Sequence, residues 1–175
     1  MGCTSLQVSN TQNVTSIGNA CFYGCSSITE LYMPNLNLTE PTQNNKNNFG
    51  NCTQLSKITL GDCGTLGNDF SSTSEWNIYF LNCTSLHTVD VKSLQTVPDN
   101  VGDAIFKNCP NMRNFIIRSA TVPTVQNNGS TLIKHFGGSS VKIYVPDAAV
   151  NNYKNATGWS NVSDYIYPLS QYSAS

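Results

Sequence analysis

Cysteine is the residue type in this sequence that could support the widest range of chemistry, because thiolates bind metals, form disulfides and act as nucleophiles. The 175-residue chain contains seven cysteines, at Cys3, Cys21, Cys25, Cys52, Cys63, Cys83 and Cys109. An odd number cannot form a closed set of disulfides. Zinc sites usually take their ligands from close cysteine pairs, whereas the closest spacing here is Cys21-x-x-x-Cys25. The spacing therefore gives no support to a zinc site.

The other residues that could carry out catalysis are few and scattered. A catalytic histidine must lie within hydrogen-bond reach of a serine or cysteine, and neither His87 nor His135 lies in a recognisable nucleophile motif. No pair of carboxylates has a spacing that suggests a general acid and base. No phosphate-binding loop or EF-hand is present. The sequence therefore predicts a protein that is not an enzyme and that carries neither a metal nor a cofactor.

Four of the cysteines share one position in an internal repeat, F-x-x-C-x-x-L-x-x-L-x-L. Its copies begin at Phe22, Phe49, Phe80 and Phe106, and all five fixed positions are apolar or Cys in every copy. The copies lie 27, 31 and 26 residues apart, close to the roughly 20–29 residues of leucine-rich repeats. A partial copy at the start of the chain favours a fragment of a longer protein. A degenerate last copy, without its cysteine, follows Phe136.

Each copy predicts one turn of a β-rich solenoid. The L-x-L end alternates apolar and polar residues, as a half-buried strand does, and the stretch before Phe predicts a single helical or 3₁₀ turn. Stacked copies would form a parallel sheet with strands about 4.8 Å apart and columns of Phe, Cys and Leu. We interpret the four repeat cysteines, Cys25, Cys52, Cys83 and Cys109, as small buried side chains. The alternative is a thiol metal site or a redox ladder.

The composition excludes two classes of partner. Charged residues make up 11% of the chain, against about 25% in typical domains, and the net charge is −1. Because there is no basic excess to neutralise phosphates, we predict no nucleic-acid partner. No uninterrupted apolar run reaches about 18 residues, so we predict no membrane span.

The pattern changes after residue 145, and we predict two segments: a solenoid over residues 1–145 and a capping segment over residues 146–175. Residues 147–156 have apolar side chains on one helical face, with Asp147 as the expected N-cap and Gly158 as the stop. A turn and a short strand follow. Trp159 should cover the last repeat, because the open end of a solenoid needs covering.

The run from Val14 to Pro34 carries a family resemblance. Val14-Thr-Ser-Ile17-Gly18-Asn-Ala20-Cys-Phe22-Tyr-Gly-Cys25-Ser-Ser-Ile28-Thr-Glu-Leu31-Tyr-Met33-Pro34 resembles the BspA-type leucine-rich repeat, which reads roughly I-x-x-I-G-x-x-A-F-x-x-C-x-x-L-x-x-I-x-I-P. The resemblance implies a right-handed coil with parallel strands. It also implies a secreted or cell-surface bacterial protein, some members being described as adhesins, and it implies no catalytic residue.

The candidate binding site is the solvent-facing side of the sheet, where solenoids commonly bind partners. The variable strand positions predict two exposed columns, one of Glu30, Lys57, Thr88, Asn114 and Lys142, and one of Tyr32, Thr59, Asp90, Ile116 and Tyr144. We expect a non-enzymatic, adhesin-like module that binds a protein or glycan through this face. The alternatives are an ordinary solvated sheet face and a structural spacer within a larger surface protein. The sequence does not identify the ligand or the oligomeric state.

Overall fold

The structure is a computed structural model that describes residues 3–7, 10–39, 48–66, 79–97, 105–129, 132, 136 and 140–173. The side chains of residues 127 and 128 are not included. His135 and most of the predicted insertions lie outside the described residues.

One parallel sheet organises the described part of the chain. Its strands are β1 (Glu30–Leu38), β2 (Lys57–Thr65), β3 (Thr88–Val97), β4 (Asn114–Ile117), β5 (Thr124–Val125), β6 (Lys142–Val145) and β7 (Ile166–Pro168). The spatial order is β1-β2-β3-β4-β6-β7, and β5 pairs with the end of β3. Consecutive strands lie side by side and all pairs are parallel, so each copy of the repeat adds one strand to a stack. This arrangement confirms the predicted solenoid architecture.

The strands pair in the register that the repeat predicts. The inward residues of successive strands face one another in a single column: Leu31, Ile58, Val89, Phe115, Ile143 and Ile166. Every member of this column is buried. Because a slip of one residue would turn all of these side chains to the other face, their burial fixes the register.

The segment from Phe to Leu consists of two successive tight turns. In each copy the cysteine N–H donates to the carbonyl of the Phe three residues earlier, and the Leu-position N–H donates to the cysteine carbonyl. The residue before each cysteine has a positive φ, which only Gly and Asn adopt readily: Gly24 at 69°, Asn51 at 58°, Asn82 at 59° and Asn108 at 59°. The helical turn was predicted for the stretch before Phe. In the first copy this prediction is wrong, because residues 19–22 form turns and Ala20 has a φ of 52°, which a right-handed helix cannot contain. The stretch before Phe106 lies mostly outside the described residues.

The repeat phenylalanines form an aromatic stack through the core. The ring centroids of Phe22 and Phe49 are 5.9 Å apart, those of Phe49 and Phe80 5.5 Å, and those of Phe80 and Phe106 5.4 Å. Phe115 connects Phe106 to Phe136, and Trp159 stacks on Phe136 with a centroid distance of 5.9 Å. Trp159 is buried and its Nε1 donates to the Pro123 carbonyl at 2.7 Å. The predicted position of Trp159 over the last repeat is confirmed.

Strand β1 bulges where it meets β2. Met33 pairs with Leu60 and Asn37 with Asp62, so three residues of β1 lie opposite Gly61 alone. A Cβ atom at position 61 would lie 2.2 Å from the Leu36 carbonyl oxygen. Glycine is therefore needed at position 61 because the bulged backbone occupies the space of a side chain.

The chain after β6 folds over the end of the stack. A 3₁₀ turn (Asp147–Ala149) leads into helix α1 (Val150–Asn155), and a second 3₁₀ segment (Trp159–Tyr165) leads into β7. Asp147 makes no capping bond, so its predicted role as N-cap is wrong. Its carboxylate instead accepts the Ser170 N–H at 3.0 Å, and hydrogen bonds from Ser170 lower the pKa of Asp147. The division at residue 145 stays a prediction, since the sheet itself continues through β7. No helix in the described ranges is both long and apolar enough to cross a membrane.

Candidate functional site

The two columns predicted for the solvent-facing side lie in register across five strands. The first column pairs Glu30 with Lys57, Thr88, Asn114 and Lys142, in that order. The second pairs Tyr32 with Thr59, Asp90, Ile116 and Tyr144. Parallel pairing thus places the ten candidate residues on one face of the sheet, in the predicted order.

Four of these ten residues are not exposed, contrary to the prediction. Thr88, Asp90, Ile116 and Tyr144 are buried, each with 5% or less of its surface accessible. Thr88 lies under the side chains of its neighbours, since its Oγ1 accepts the Asn114 amide and contacts His87 Nδ1 at 2.9 Å. Ile116 lies between Asp90 and Tyr144 in the second column. Strand alternation correctly assigns these residues to one face of the sheet. It does not show which other side chains pack over that face and bury them.

Arg118 covers Asp90. Its Nε donates to Oδ1 at 2.8 Å and its Nη2 to Oδ2 at 2.7 Å, so the contact is bidentate. The Asp90 side chain is 6% exposed and that of Arg118 is 50% exposed. The hydrogen bonds to Asp90 raise the pKa of Arg118. One edge of the guanidinium is therefore held in place, and the rest of the group faces solvent.

The C-terminal segment covers Tyr144. Its ring centroid lies 5.2 Å from that of Tyr172 and 6.1 Å from that of Tyr167. Burial raises the pKa of Tyr144. Lys142 Nζ lies 5.3 Å from the centroid of the Tyr167 ring, within range of a cation–π contact. The C-terminal end of the face is thus a tyrosine cluster, defined as Tyr144, Tyr167 and Tyr172.

A groove of about 510 Å³ lies on the other half of the face, within the range of small-ligand sites. It is referred to below as the β1–β4 groove, and its outward side chains are Glu30, Tyr32, Lys57, Thr59, Asp90, Lys92 and Arg118. Tyr32 is 59% exposed, an unusual value for a large aromatic side chain. Lys92 is itself held, because its Nζ contacts Asp62 Oδ2 at 2.7 Å. The groove therefore offers one exposed ring together with several cationic donors.

The sequence interpretation missed Lys92 and Arg118, and it missed the covering role of Tyr167 and Tyr172. A signal for the first pair was present. Each follows the last fixed position of the repeat by one residue, and Val91 and Ile117 pair in register, so Lys92 and Arg118 are neighbours on the same face. The tyrosines gave no comparable signal, because they belong to the predicted capping segment rather than to a repeat.

The cysteine column is a packing element of the core. Three of its four thiols donate to the Phe carbonyl of the preceding copy: Cys52 to Phe22 at 2.9 Å, Cys83 to Phe49 at 2.9 Å and Cys109 to Phe80 at 2.8 Å. Burial raises the pKa of the Cys52 thiol from 9.0 to about 12. A buried thiol that is protonated and hydrogen-bonded is a poor nucleophile and a poor metal ligand. Within the described ranges, no group of three or more His, Cys, Asp or Glu side chains could hold a metal ion.

The cysteines outside the column differ in exposure. Cys3 and Cys21 are exposed, whereas Cys63 is fully buried in β2. Burial raises the pKa of Cys63 to about 12. His87 is half-buried beside Thr88 and contacts none of these thiols in the hydrogen bonds of the described residues. The described chain therefore contains no cysteine–histidine pair of the kind that activates a nucleophile.

We expect two fast-reacting thiols in the folded protein. Cys3 and Cys21 should react with a chromogenic disulfide reagent within minutes at pH 8, because both are exposed. The other five thiols should react only as the protein unfolds, since all are buried. Titration of the native protein should give two equivalents, and titration in guanidinium chloride should give seven. Rapid reaction of five or more thiols under native conditions would contradict the packed column.

The parallel stack, with one strand per turn, defines the protein as a repeat solenoid. A family model described as the BspA type leucine rich repeat region matches residues 1–129 in six copies. The chain therefore belongs to the BspA-type leucine-rich repeat family. The six copies all lie before residue 130, whereas the sequence interpretation placed its last, degenerate copy after Phe136. No curated protein matches the chain. Membership in this family indicates a protein-interaction or surface module.

Proposed function

We propose that the protein is a non-enzymatic, adhesin-like module that acts outside the cell or at its surface and binds a protein or glycan ligand in the β1–β4 groove. The observation that carries the proposal is the exposure of Tyr32 beside Lys57 and Arg118 in one groove. Exposed aromatic rings and arginines are the side chains that most often dominate binding energy. The preorganised side chains of the groove and the positive charge of the sheet face both support this assignment.

The groove is partly preorganised, which favours binding. Its floor is three in-register strands, and the Arg118 guanidinium is held by two hydrogen bonds to the buried Asp90 carboxylate. Side chains that are already positioned lose little conformational entropy when a ligand binds. Tyr32 has only two side-chain dihedral angles to fix, so its exposed ring is also ordered at low cost.

The charge on the sheet face differs from that of the whole chain. Five of the nine Lys and Arg residues line depressions on this face, together with only two carboxylates, Glu30 and Asp90. The five are Lys57, Lys92, Arg113, Arg118 and Lys142. The chain as a whole has a net charge of −1. An uneven distribution of this kind steers ligands of the opposite charge toward the face and accelerates their association.

Replacing Tyr32 and Lys57 by alanine tests the proposal. We expect a ligand identified on an array of matrix proteins and glycans to lose roughly thirtyfold in affinity, or about 2 kcal/mol, since an exposed anchor ring and a cationic donor are removed together. The unfolding temperature should change little, because neither side chain is buried. Surface plasmon resonance with the purified variants provides the measurement.

Lys154→Ala is the matched control, since Lys154 lies on helix α1 and not in the groove. Unchanged affinity in the Tyr32 and Lys57 variant would refute binding in the groove. If no ligand is found on any array, the protein is better described by the alternative of a structural spacer in a larger surface protein.

A further inference from the structure

A second depression lies on the same sheet face, at the start of the strands and beside the tyrosine cluster. It measures about 370 Å³ and is lined by His87, Arg113, Asn114, Ser140, Lys142, Tyr144 and Ser173. We refer to it as the β3–β6 pocket. It shares no lining residue with the β1–β4 groove.

The pocket has a one-sided charge. Three basic side chains line it, His87, Arg113 and Lys142, and none of its described lining residues is acidic. The three residues come from successive turns of the coil. The Arg113 N–H donates to the His87 carbonyl, and the Lys142 N–H donates to the Arg113 carbonyl. His87 and Arg113 stand at equivalent positions just before β3 and β4, whereas Lys142 lies one position further along and pairs with Asn114.

The Arg113 guanidinium is held at one end. Its Nη1 donates to the Pro110 carbonyl at 3.0 Å and to the Met112 carbonyl at 2.7 Å. Neither of these bonds uses the Nε–Nη2 edge, and this edge of a guanidinium is the one that binds a carboxylate or sulfate through two parallel hydrogen bonds. The arginine is therefore positioned before any anion arrives.

His87 and Asn114 meet at the Thr88 hydroxyl. Asn114 Nδ2 donates to Thr88 Oγ1 at 3.1 Å, and Oγ1 lies 2.9 Å from His87 Nδ1. These two contacts hold the imidazole and the Asn114 amide beside each other in the lining of the pocket.

From this geometry we propose that the β3–β6 pocket binds the carboxylate or sulfate group of an acidic oligosaccharide. The inference deepens the proposed function, because it assigns a ligand chemistry to a second site on the same face. An oligosaccharide fits the rest of the lining, because Asn114, Ser140 and Ser173 offer neutral polar groups that can hydrogen-bond the hydroxyl groups of a sugar beside its charged group.

Isothermal titration with defined oligosaccharides tests the proposal. The probes are a heparin hexasaccharide, an oligogalacturonate of similar length, and a neutral maltohexaose. We expect at least one acidic probe to bind, with affinity falling as salt rises, and the neutral sugar not to bind. Arg113→Ala should weaken binding roughly tenfold or more, because a bidentate charged contact is lost. Lys142→Gln should weaken it in the same direction, and Lys154→Ala should not change it.

The Tyr32→Ala variant distinguishes binding in the β3–β6 pocket from binding in the β1–β4 groove. Retained binding of the acidic sugar in that variant, together with loss in Arg113→Ala, supports the pocket whether or not the groove has a ligand. Three outcomes overturn the proposal: neither acidic sugar binds, a poly-glutamate peptide binds as tightly as the sugar, or inorganic sulfate alone does. If Arg113→Ala lowers the unfolding temperature, Lys142→Gln decides the result, because the Lys142 side chain is exposed.

Discussion

Replacing Phe80 by alanine is expected to lower the free energy of unfolding by about 3–5 kcal/mol. Phe80 is fully buried at the centre of the aromatic stack, with Phe49 5.5 Å away on one side and Phe106 5.4 Å away on the other. The alanine variant loses the burial of a large ring and leaves a cavity between two rigid turns that can collapse only in part. Because each turn contacts only its neighbours, the lost packing lies at the interfaces that join the two halves of the coil.

Urea denaturation monitored by circular dichroism measures this effect. Phe80→Leu should recover part of the loss, since it restores most of the apolar volume. Leu6→Ala serves as the control and should change stability by less than about 0.5 kcal/mol, because Leu6 is exposed. A loss below about 1 kcal/mol for Phe80→Ala would mean that this ring is not a central element of the stack.

Gly61→Ala should be destabilising out of proportion to the single methyl group that it adds. The new Cβ would lie 2.2 Å from the Leu36 carbonyl oxygen and 2.8 Å from that of Pro34. Both obstacles are backbone atoms of the β1 bulge, so no side chain can rotate to relieve the clash. We expect a loss on the order of 3 kcal/mol and displacement of β1 from β2.

Gly18→Ala provides the matched control for this effect. A Cβ atom at position 18 would meet no atom within 4 Å and the backbone does not require a positive φ. Alanine there should be neutral or should raise stability by about 0.4–1 kcal/mol, since it restricts the unfolded chain. Thermal denaturation of the two variants compares them directly. Equal stability of the two variants would rule out the close approach of β1 to Gly61.

Most of the fold could be predicted from the repeat positions, because the same local packing recurs in every copy. Phe, Cys and Leu recur at fixed spacing, and parallel stacking turns that spacing into the register seen between Leu31, Ile58 and Val89. The helical turn predicted before Phe22 is not formed, because residues 19–22 are turns and Ala20 has a positive φ of 52°. Alanine rarely adopts a positive φ, so the residue type at position 20 carried no signal of this turn.

The candidate site was predicted less completely, because the side chains that bury part of it come from distant parts of the chain. Strand alternation placed Asp90 and Tyr144 on the solvent-facing side, and their strand positions are as expected. Arg118 and Tyr172 bury them through contacts that no periodicity encodes. Exposure along the face is therefore uneven, high at Tyr32 and low beside the tyrosine cluster. This unevenness leaves two separate depressions in place of the continuous exposed face that the sequence predicted.

The distance between Glu30 and Lys142 tests the central claim most directly. The two residues belong to the same column, four strand separations apart, which corresponds to about 19 Å between their backbones. Both side chains are exposed, so each can be replaced by cysteine and spin-labelled in a variant whose Cys3 and Cys21 are serine. Dipolar electron paramagnetic resonance should then give one narrow distribution near that distance, allowing for the length of the labels. A broad distribution, or a mean beyond about twice that separation, would contradict the stacked coil and the binding face that depends on it.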